Sequence, residues 1–166
     1  MATESEPTRR PPVIRQLTDP SDTVAERWRA LRDDLYGTTD EAESRSEAAQ
    51  ILSDGRTRGL PYAVFIAQPA DERDEVIGFV EVSLRRFAEG CRSDPVGFIE
   101  GWMVVEAARG TGVGRLLITR AEDWARERGC TEIASDAELE NEASAAAHRA
   151  MGFREIAIVR CFAKEL

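Results

Sequence analysis

The chain has 166 residues, enough for one domain with a sizeable core and too few for two. Its 31 acidic residues against 22 basic ones give a net charge of −9, which excludes nucleic acid or an anionic membrane as the main partner, because both need a basic footprint. A hydrophobic fraction of 42% with 32% charged residues belongs to a folded soluble domain, and no apolar run approaches the about 20 residues of a membrane span.

Met1 to Pro12 is polar, holds three prolines and has no apolar signal core, so it reads as a flexible leader (1–12) ahead of one domain (13–166). Val13 to Leu17 is a first short strand. Asp22 or Thr23 is placed to cap a helix with Val24, Trp28, Leu31 and Leu35 at helical spacing, and Gly37 is placed to end it. Glu41 to Leu52 is a second, mostly polar helix. Tyr62 to Ala67 and Val76 to Leu84 read as partner strands across the turn Pro69 to Asp74. Phe98 to Val105 is a strand interrupted by Gly101, which predicts a bulge or the close approach of another group. Gly112 to Arg128 is an amphipathic helix ended by Gly129. Thr131 to Ala137 is a strand, Asn141 to Met151 a short helix, and Phe153 to Phe162 a last strand. The order predicts a single α/β domain. Cys91, Cys130 and Cys161 are odd in number and widely spread, with no CxxC pair, so neither a disulfide framework nor a metal site is expected and a reducing cytoplasm is the simplest location.

The most informative segment is Arg109-Gly110-Thr111-Gly112-Val113-Gly114, between a strand and a helix. Glycines there let backbone approach a ligand, and the N–H groups of a helix start favour anions, so the segment reads as a phosphate or pyrophosphate cradle. A Walker A loop needs Gly-Lys-Ser/Thr, whereas the only lysine is Lys164. A dinucleotide fingerprint needs a glycine where Arg115 stands, and too little chain follows to complete that fold.

Arg-x-x-Gly-x-Gly opening a long helix resembles the acetyl-CoA signature of the GNAT acyltransferases. Downstream, Asn141-x-x-Ser144-x-x-x-His148-x-x-x-Gly152-Phe153 is similar to the second block of that family, with one helix and one strand between the two. The resemblance implies a single-domain α/β (α+β) fold: a mixed central sheet flanked by helices, with a V-shaped splay between the fourth and fifth strands. It implies acetyl-CoA as co-substrate. Met103 and Val105 would meet the pantetheine and thioester. The amides of Thr111, Gly112, Val113, Gly114, Arg115 and Leu116 would hold the pyrophosphate, Arg115 adding charge, and Asn141 would bond the pantetheine arm.

A closer resemblance is to bacterial aminoglycoside 6′-N-acetyltransferases. It is carried by Gly78-Phe79-x-Glu81-x-Ser83-x-Arg85, Gly90, Pro95, Phe98-Ile99-Glu100-Gly101, Ala134-Ser135-Asp136-x-x-x-x-Asn141 and the Cys161-Phe162 ending. By that pattern Glu81, Glu100 and Asp136 would face the ammonium groups of the acceptor, while Tyr36 and Phe87 would stack on its rings. Tyr36 stands where a Trp is common, and the loop from Phe87 to Asp94 is one residue shorter than the pattern. Charged groups set in apolar strands need such a reason. The same resemblance implies a homodimer.

The implied chemistry is direct transfer. An ammonium must lose a proton before it attacks, and Glu100 or Asp136 would take it. A backbone N–H near Met103 would polarise the thioester carbonyl. Where the family carries a Tyr for the leaving thiolate this chain has His148, read either as that proton donor or as a packed helix residue. No base accompanies Cys130 or Cys161, so neither reads as a nucleophile. A GNAT acting on a polyamine or protein N-terminus, or a non-catalytic acyl-CoA-binding module, would share the glycine loop and differ at the acceptor wall.

Overall fold

A computed structural model describes residues 10–57 and 59–165, so residues 1–9 of the expected leader lie outside the described residues. The elements run β1 (Val13–Leu17), α1 (Ala25–Tyr36), α2 (Glu41–Asp54), β2 (Arg56–Thr57), β3 (Leu60–Gln68), β4 (Gly78–Arg85), β5 (Val96–Val104), α3 (Val113–Arg126), β6 (Ile133–Ser135) and α4 (Glu142–Ala150), with a 3₁₀ turn at Glu106–Ala108. The sheet order is β1-β3-β4-β5-β6, with β2 appended to β3. All neighbours are antiparallel except β5 and β6, which are parallel.

Side-chain alternation divides β3 and β4 between two cores. Ala63, Phe65, Ala67, Val80 and Val82 face α3, where Val113, Leu117, Ala121 and Trp124 form the apolar stripe. Tyr62, Val64, Ile66 and Phe79 face the other way, onto Trp28 of α1 and Ala48, Ile51 and Leu52 of α2. Both helices end on glycines in the left-handed region, Gly37 at φ 66 and Gly55 at φ 57. The cap of α1 differs from expectation. Val24 occupies that position with no side-chain cap, and the Asp22 carboxylate instead accepts from the Val24 amide at 3.1 Å in the turn before.

Two features of β5 and β6 position the site. Glu81 pairs with Gly101 and Val82 with Ile99, so Glu100 is the extra residue of a bulge. Alternation shifts there: Ile99 and Trp102 face α3, while Tyr36 of α1 meets Gly101 and Met103 packs on the α1 core. In addition, β5 and β6 pair over only Gly97/Ile133, Phe98/Ala134 and Ile99/Ser135. Beyond that point β5 runs on to Val104 without β6 beside it, and this is where the expected splay opens.

The expected last strand is corrected. Residues 153–165 form no strand: the segment makes no ladder with β6, the sheet's last strand, or with any other described strand. Its apolar side chains stay outside, with Ile158 69% and Phe162 91% exposed.

Candidate active site

The glycine loop follows the 3₁₀ turn and opens α3. Gly110 at φ 75 and Gly112 at φ 89 take a backbone conformation that side-chain-bearing residues avoid, with open space around both. The first helical bond runs from the Leu116 amide to the Gly112 carbonyl at 3.1 Å, leaving the amides of Val113, Gly114 and Arg115 without a backbone acceptor among the described residues. The first turn carries no acidic residue. Uncompensated amides at a positive helix end suit a diphosphate. The Arg109 side chain anchors the loop by donating to the Val104 carbonyl at 3.0 Å, and Thr111 donates to the Ala108 carbonyl at 2.6 Å.

Gly114 is required for a different reason. A Cβ there would lie 2.8 Å from Cζ2 of Trp102, whose buried Nε1 has no hydrogen-bond partner. The indole therefore floors the loop from β5. Arg115, expected to add charge toward phosphate, donates instead to the Ala150 carbonyl at 2.9 Å, at the end of α4. Leu116 is exposed on the first turn. Met103, Val104 and Val105 lie half-buried along the edge that β6 leaves open.

At the other side of the splay, Asn141 caps α4 by accepting from the Ser144 amide at 3.0 Å. The cap takes up Oδ1, while the two Nδ2 donors have no partner among the described residues. His148 is committed at both ring nitrogens. Its Nδ1 lies 2.8 Å from the Ser144 carbonyl and so carries the proton, and its Nε2, 2.9 Å from Ser135 Oγ, accepts. The ring is edge-on to Trp102 at 5.7 Å and to Phe153 at 5.4 Å. With both ring nitrogens engaged by the protein and the ring packed on Trp102 and Phe153, the geometry favours the packed residue over the proton donor.

The three acceptor-side carboxylates prove unlike one another. Asp136, one residue past β6, is exposed, and its carboxylate has no hydrogen bond or ion pair among the described residues. Glu100 is partly buried and saturated. Arg85 donates through Nε to Oε1 at 3.0 Å and through Nη2 to Oε2 at 2.6 Å, Ser83 donates to Oε1, and the guanidinium lies 3.4 Å above the Phe98 ring. Glu81 is a correction to the sequence reading: at 0% exposure it lies inside the protein and faces no acceptor. Arg32 Nε at 3.1 Å, Tyr62 Oη at 2.6 Å and Tyr36 Oη at 3.0 Å surround it. Burial raises its pKa, opposed by the Arg32 charge and by the hydrogen bonds of both tyrosines. Burial, with the Glu81 carboxyl alongside, pushes both tyrosine hydroxyls well above their ordinary range.

Tyr36 remains 44% exposed at the end of α1 and Phe87 67% exposed in the loop after β4, so both rings are available to a ligand. That loop is pinned by Glu132, whose carboxylate accepts from the Arg92 and Ser93 amides, each at 2.7 Å. In sequence Glu132 is one acid in an acidic run; the structure makes it an anchor. Arg85, Trp102 and Ser135 received no role from sequence reasoning. For Arg85 a signal existed, because it alternates with Glu81 and Ser83 along one strand face.

The chain matches the Acetyltransferase (GNAT) family over residues 25–153. It is 50% identical over 139 residues to an aminoglycoside N(6′)-acetyltransferase type 1 of Klebsiella aerogenes, covering 84% of this chain and 89% of that one. A second enzyme of that description, from Stenotrophomonas maltophilia, is 43% identical over 145 residues, covering 87% of each. Among solved structures, the enzyme AAC(6′)-Iy in complex with a bisubstrate analogue superposes with a TM-score of 0.81 at 35% identity, covering 93% of this chain and 99% of that one. The family match over residues 25–153, the shared fold and this level of identity place the chain in the GNAT acetyltransferase family.

Proposed function

We propose that the protein transfers the acetyl group of acetyl-CoA directly to the 6′-amine of an aminoglycoside, as a resistance enzyme. The observation that carries this is the pair of features that flank the splay between β5 and β6. Unpaired amides at the start of α3 lie on one side, and the unpaired carboxylate of Asp136 lies at the end of β6 on the other. The first side suits the polyanionic carrier, and the second suits a polycationic acceptor. The acidic excess of the chain favours the same acceptor class.

In this reading the amides of Thr111 to Leu116 hold the diphosphate over the Trp102 floor, and the open edge from Gly101 to Val105 takes the pantetheine and thioester. Acetyl-CoA supplies the activated acyl group. A β5 amide near Met103 donates to the thioester carbonyl as negative charge develops on it. Asp136 takes the proton of the acceptor ammonium, because it is the one of the three carboxylates with no partner to displace among the described residues. The freed amine attacks the thioester carbon, the C–S bond breaks as the C–N bond forms, and coenzyme A leaves as a thiolate that takes up the second proton lost by the nitrogen. Glu100 orients a second ammonium in exchange for Arg85, which can remain stacked on Phe98. Tyr36 and Phe87 cover the sugar rings. His148 packs the floor of the cleft.

Two further features belong to the proposal. The chain works as a homodimer, with the apolar segment 153–163 pairing against a second copy; its exposed Ile156, Ile158, Val159 and Phe162 and its lack of strand partners support this. It works in the cytoplasm, where acetyl-CoA is available and where Cys91, Cys130 and Cys161 stay reduced. The testing experiment is mass spectrometry of kanamycin after incubation with the protein and acetyl-CoA, with NMR locating the modified nitrogen. Acetylation of spermidine but of no aminoglycoside refutes the acceptor assignment. Sedimentation of the wild type and of Ile158→Glu tests the dimer, which predicts that only the variant is monomeric.

A further inference from the structure

Three oxygen–oxygen pairs link the buried Glu81 to the bulge: Tyr62 Oη to Glu81 Oε2 at 2.6 Å, Tyr36 Oη to the same Oε2 at 3.0 Å, and Tyr36 Oη to the Glu100 carbonyl at 3.0 Å. Tyr36 has a single hydroxyl proton for two acceptors, so as a donor to Glu81 it leaves the Glu100 carbonyl with at best a shared bond. A proton on the Glu81 carboxyl lets all three be full hydrogen bonds. Tyr62 then donates to Oε2, the protonated Oε2 donates to Tyr36, and Tyr36 donates to the Glu100 carbonyl.

We propose that Glu81 and Tyr36 are a positioning pair, in which the neutral Glu81 carboxyl donates to the Tyr36 hydroxyl and that hydroxyl pins the bulge of β5 by donating to the Glu100 carbonyl. The pinned peptide sets two things at once: where the Glu100 carboxylate points and how the amides that follow it line the open edge. The role assigned to that edge rests on the proposed acetyl transfer. Neither residue has to touch reacting atoms.

Independent observations agree. Glu100 is the extra residue of the bulge, so its carbonyl lies outside the regular ladder between β4 and β5. Gly101 leaves room for the hydroxyl, since a Cβ there would lie 2.3 Å from Tyr36 Oη. The charges facing the pair also close without Glu81. Arg32 of α1 is met by Glu47 of α2 at 3.1 Å, and Glu100 is met by Arg85 of β4 at 2.6 Å. Burial in the absence of a second cation favours a carboxyl that keeps its proton.

The test compares Tyr36→Phe, Glu81→Leu and Glu81→Gln in the full-length protein, with kanamycin and acetyl-CoA as probes. Tyr36→Phe keeps the ring that faces a ligand and loses only the hydroxyl. Tyr36→Phe and Glu81→Leu are expected to lower kcat about 10- to 100-fold, the scale of a misplacement of about 1 Å at a reacting centre, with acetyl-CoA affinity by calorimetry falling far less, because the diphosphate cradle at α3 is untouched. Glu81→Gln is expected to stay close to wild type, because its amide N–H donates to Tyr36 as the carboxyl does. The 13C shift of the Glu100 carbonyl reads the pin without any turnover: it should move upfield in Tyr36→Phe and stay in place in Glu81→Gln. An unmoved carbonyl shift in Tyr36→Phe overturns the proposal, and so does a Glu81→Gln variant as impaired as Glu81→Leu. A wild type that acetylates no aminoglycoside refutes the functional reading alone, and the carbonyl shift still decides the pin.

Discussion

Replacing Gly101 by Ala tests whether the hydroxyl of Tyr36 governs the bulge. The glycine is not in the left-handed region, so the cost is steric rather than conformational. An alanine Cβ would lie 2.3 Å from Tyr36 Oη, 3.0 Å from Tyr36 Cζ and 3.2 Å from Leu35 Cδ2. Overpacking of this kind costs about 1–3 kcal/mol, and displacing the hydroxyl from the Glu100 carbonyl adds about 1 kcal/mol. A total of about 2–4 kcal/mol lowers Tm by roughly 6–12 °C for a chain of this size, at about 3 °C per kcal/mol. In a Tyr36→Phe background the nearest atom is gone and only the milder ring contact at 3.0 Å remains. The double variant should therefore be more stable than the sum of the single changes by about 1–2 kcal/mol, within the range found for residues in contact. The assay is urea unfolding of the four proteins of the cycle. Additivity within about 0.5 kcal/mol would show that Gly101 makes room for something else.

Asp136→Asn should lower kcat about 100- to 10,000-fold, the contribution of a general base, and leave acetyl-CoA binding intact in a calorimetric titration; unchanged turnover removes Asp136 from the site. Gly114→Val should weaken acetyl-CoA binding by tenfold or more, about 1.4 kcal/mol, because its Cβ starts 2.8 Å from Trp102 and tilts the loop off its floor; calorimetry with coenzyme A reads this directly. His148→Gln should lower Tm through lost packing on Trp102 and Phe153 while kcat changes little. A kcat loss of about 100-fold, the size of a removed general acid, would return His148 to the chemistry. Stability should depend on pH through Glu81. Its folded pKa is raised above the ordinary 4.5, so the stabilisation is complete below that value and is lost as pH climbs toward the folded pKa. Urea midpoints of the wild type should therefore fall relative to those of Glu81→Gln as pH rises above 4.5, and parallel curves would show that Glu81 does not titrate on unfolding.

Most of the scaffold was legible because its signals are local. Apolar spacing in α3, glycines at Gly37, Gly55 and Gly129, and the β-branched runs of β3 and β4 each act within a few residues. The glycine loop was legible for the same reason: positive φ and free helix-end amides are properties of the segment itself. The last strand failed for the complementary reason. Residues 153–162 have the right alternation, but a strand exists only where its backbone bonds a neighbour, and the outer edge of β6 stays unpaired among the described residues.

At the acceptor side, residue type and spacing selected Glu81, Glu100 and Asp136 and could not tell them apart. What separates them is what each carboxyl meets across the fold. Asp136 lies past the end of β6 and meets none of the described residues. Glu100 meets Arg85 through the β4–β5 pairing. Glu81 meets Arg32, Tyr36 and Tyr62, from one helix and one strand distant in sequence. The net charge of −9 was in the sequence, and by itself it only argued against nucleic acid; the cationic acceptor came from the family resemblance. The sequence by itself determined most of the elements and the glycine loop, because these follow from local periodicity and local backbone chemistry. Only the tertiary structure decided which acids are free, which is neutralised and which is buried, because solvation and charge pairing depend on neighbours that the chain brings together from far apart.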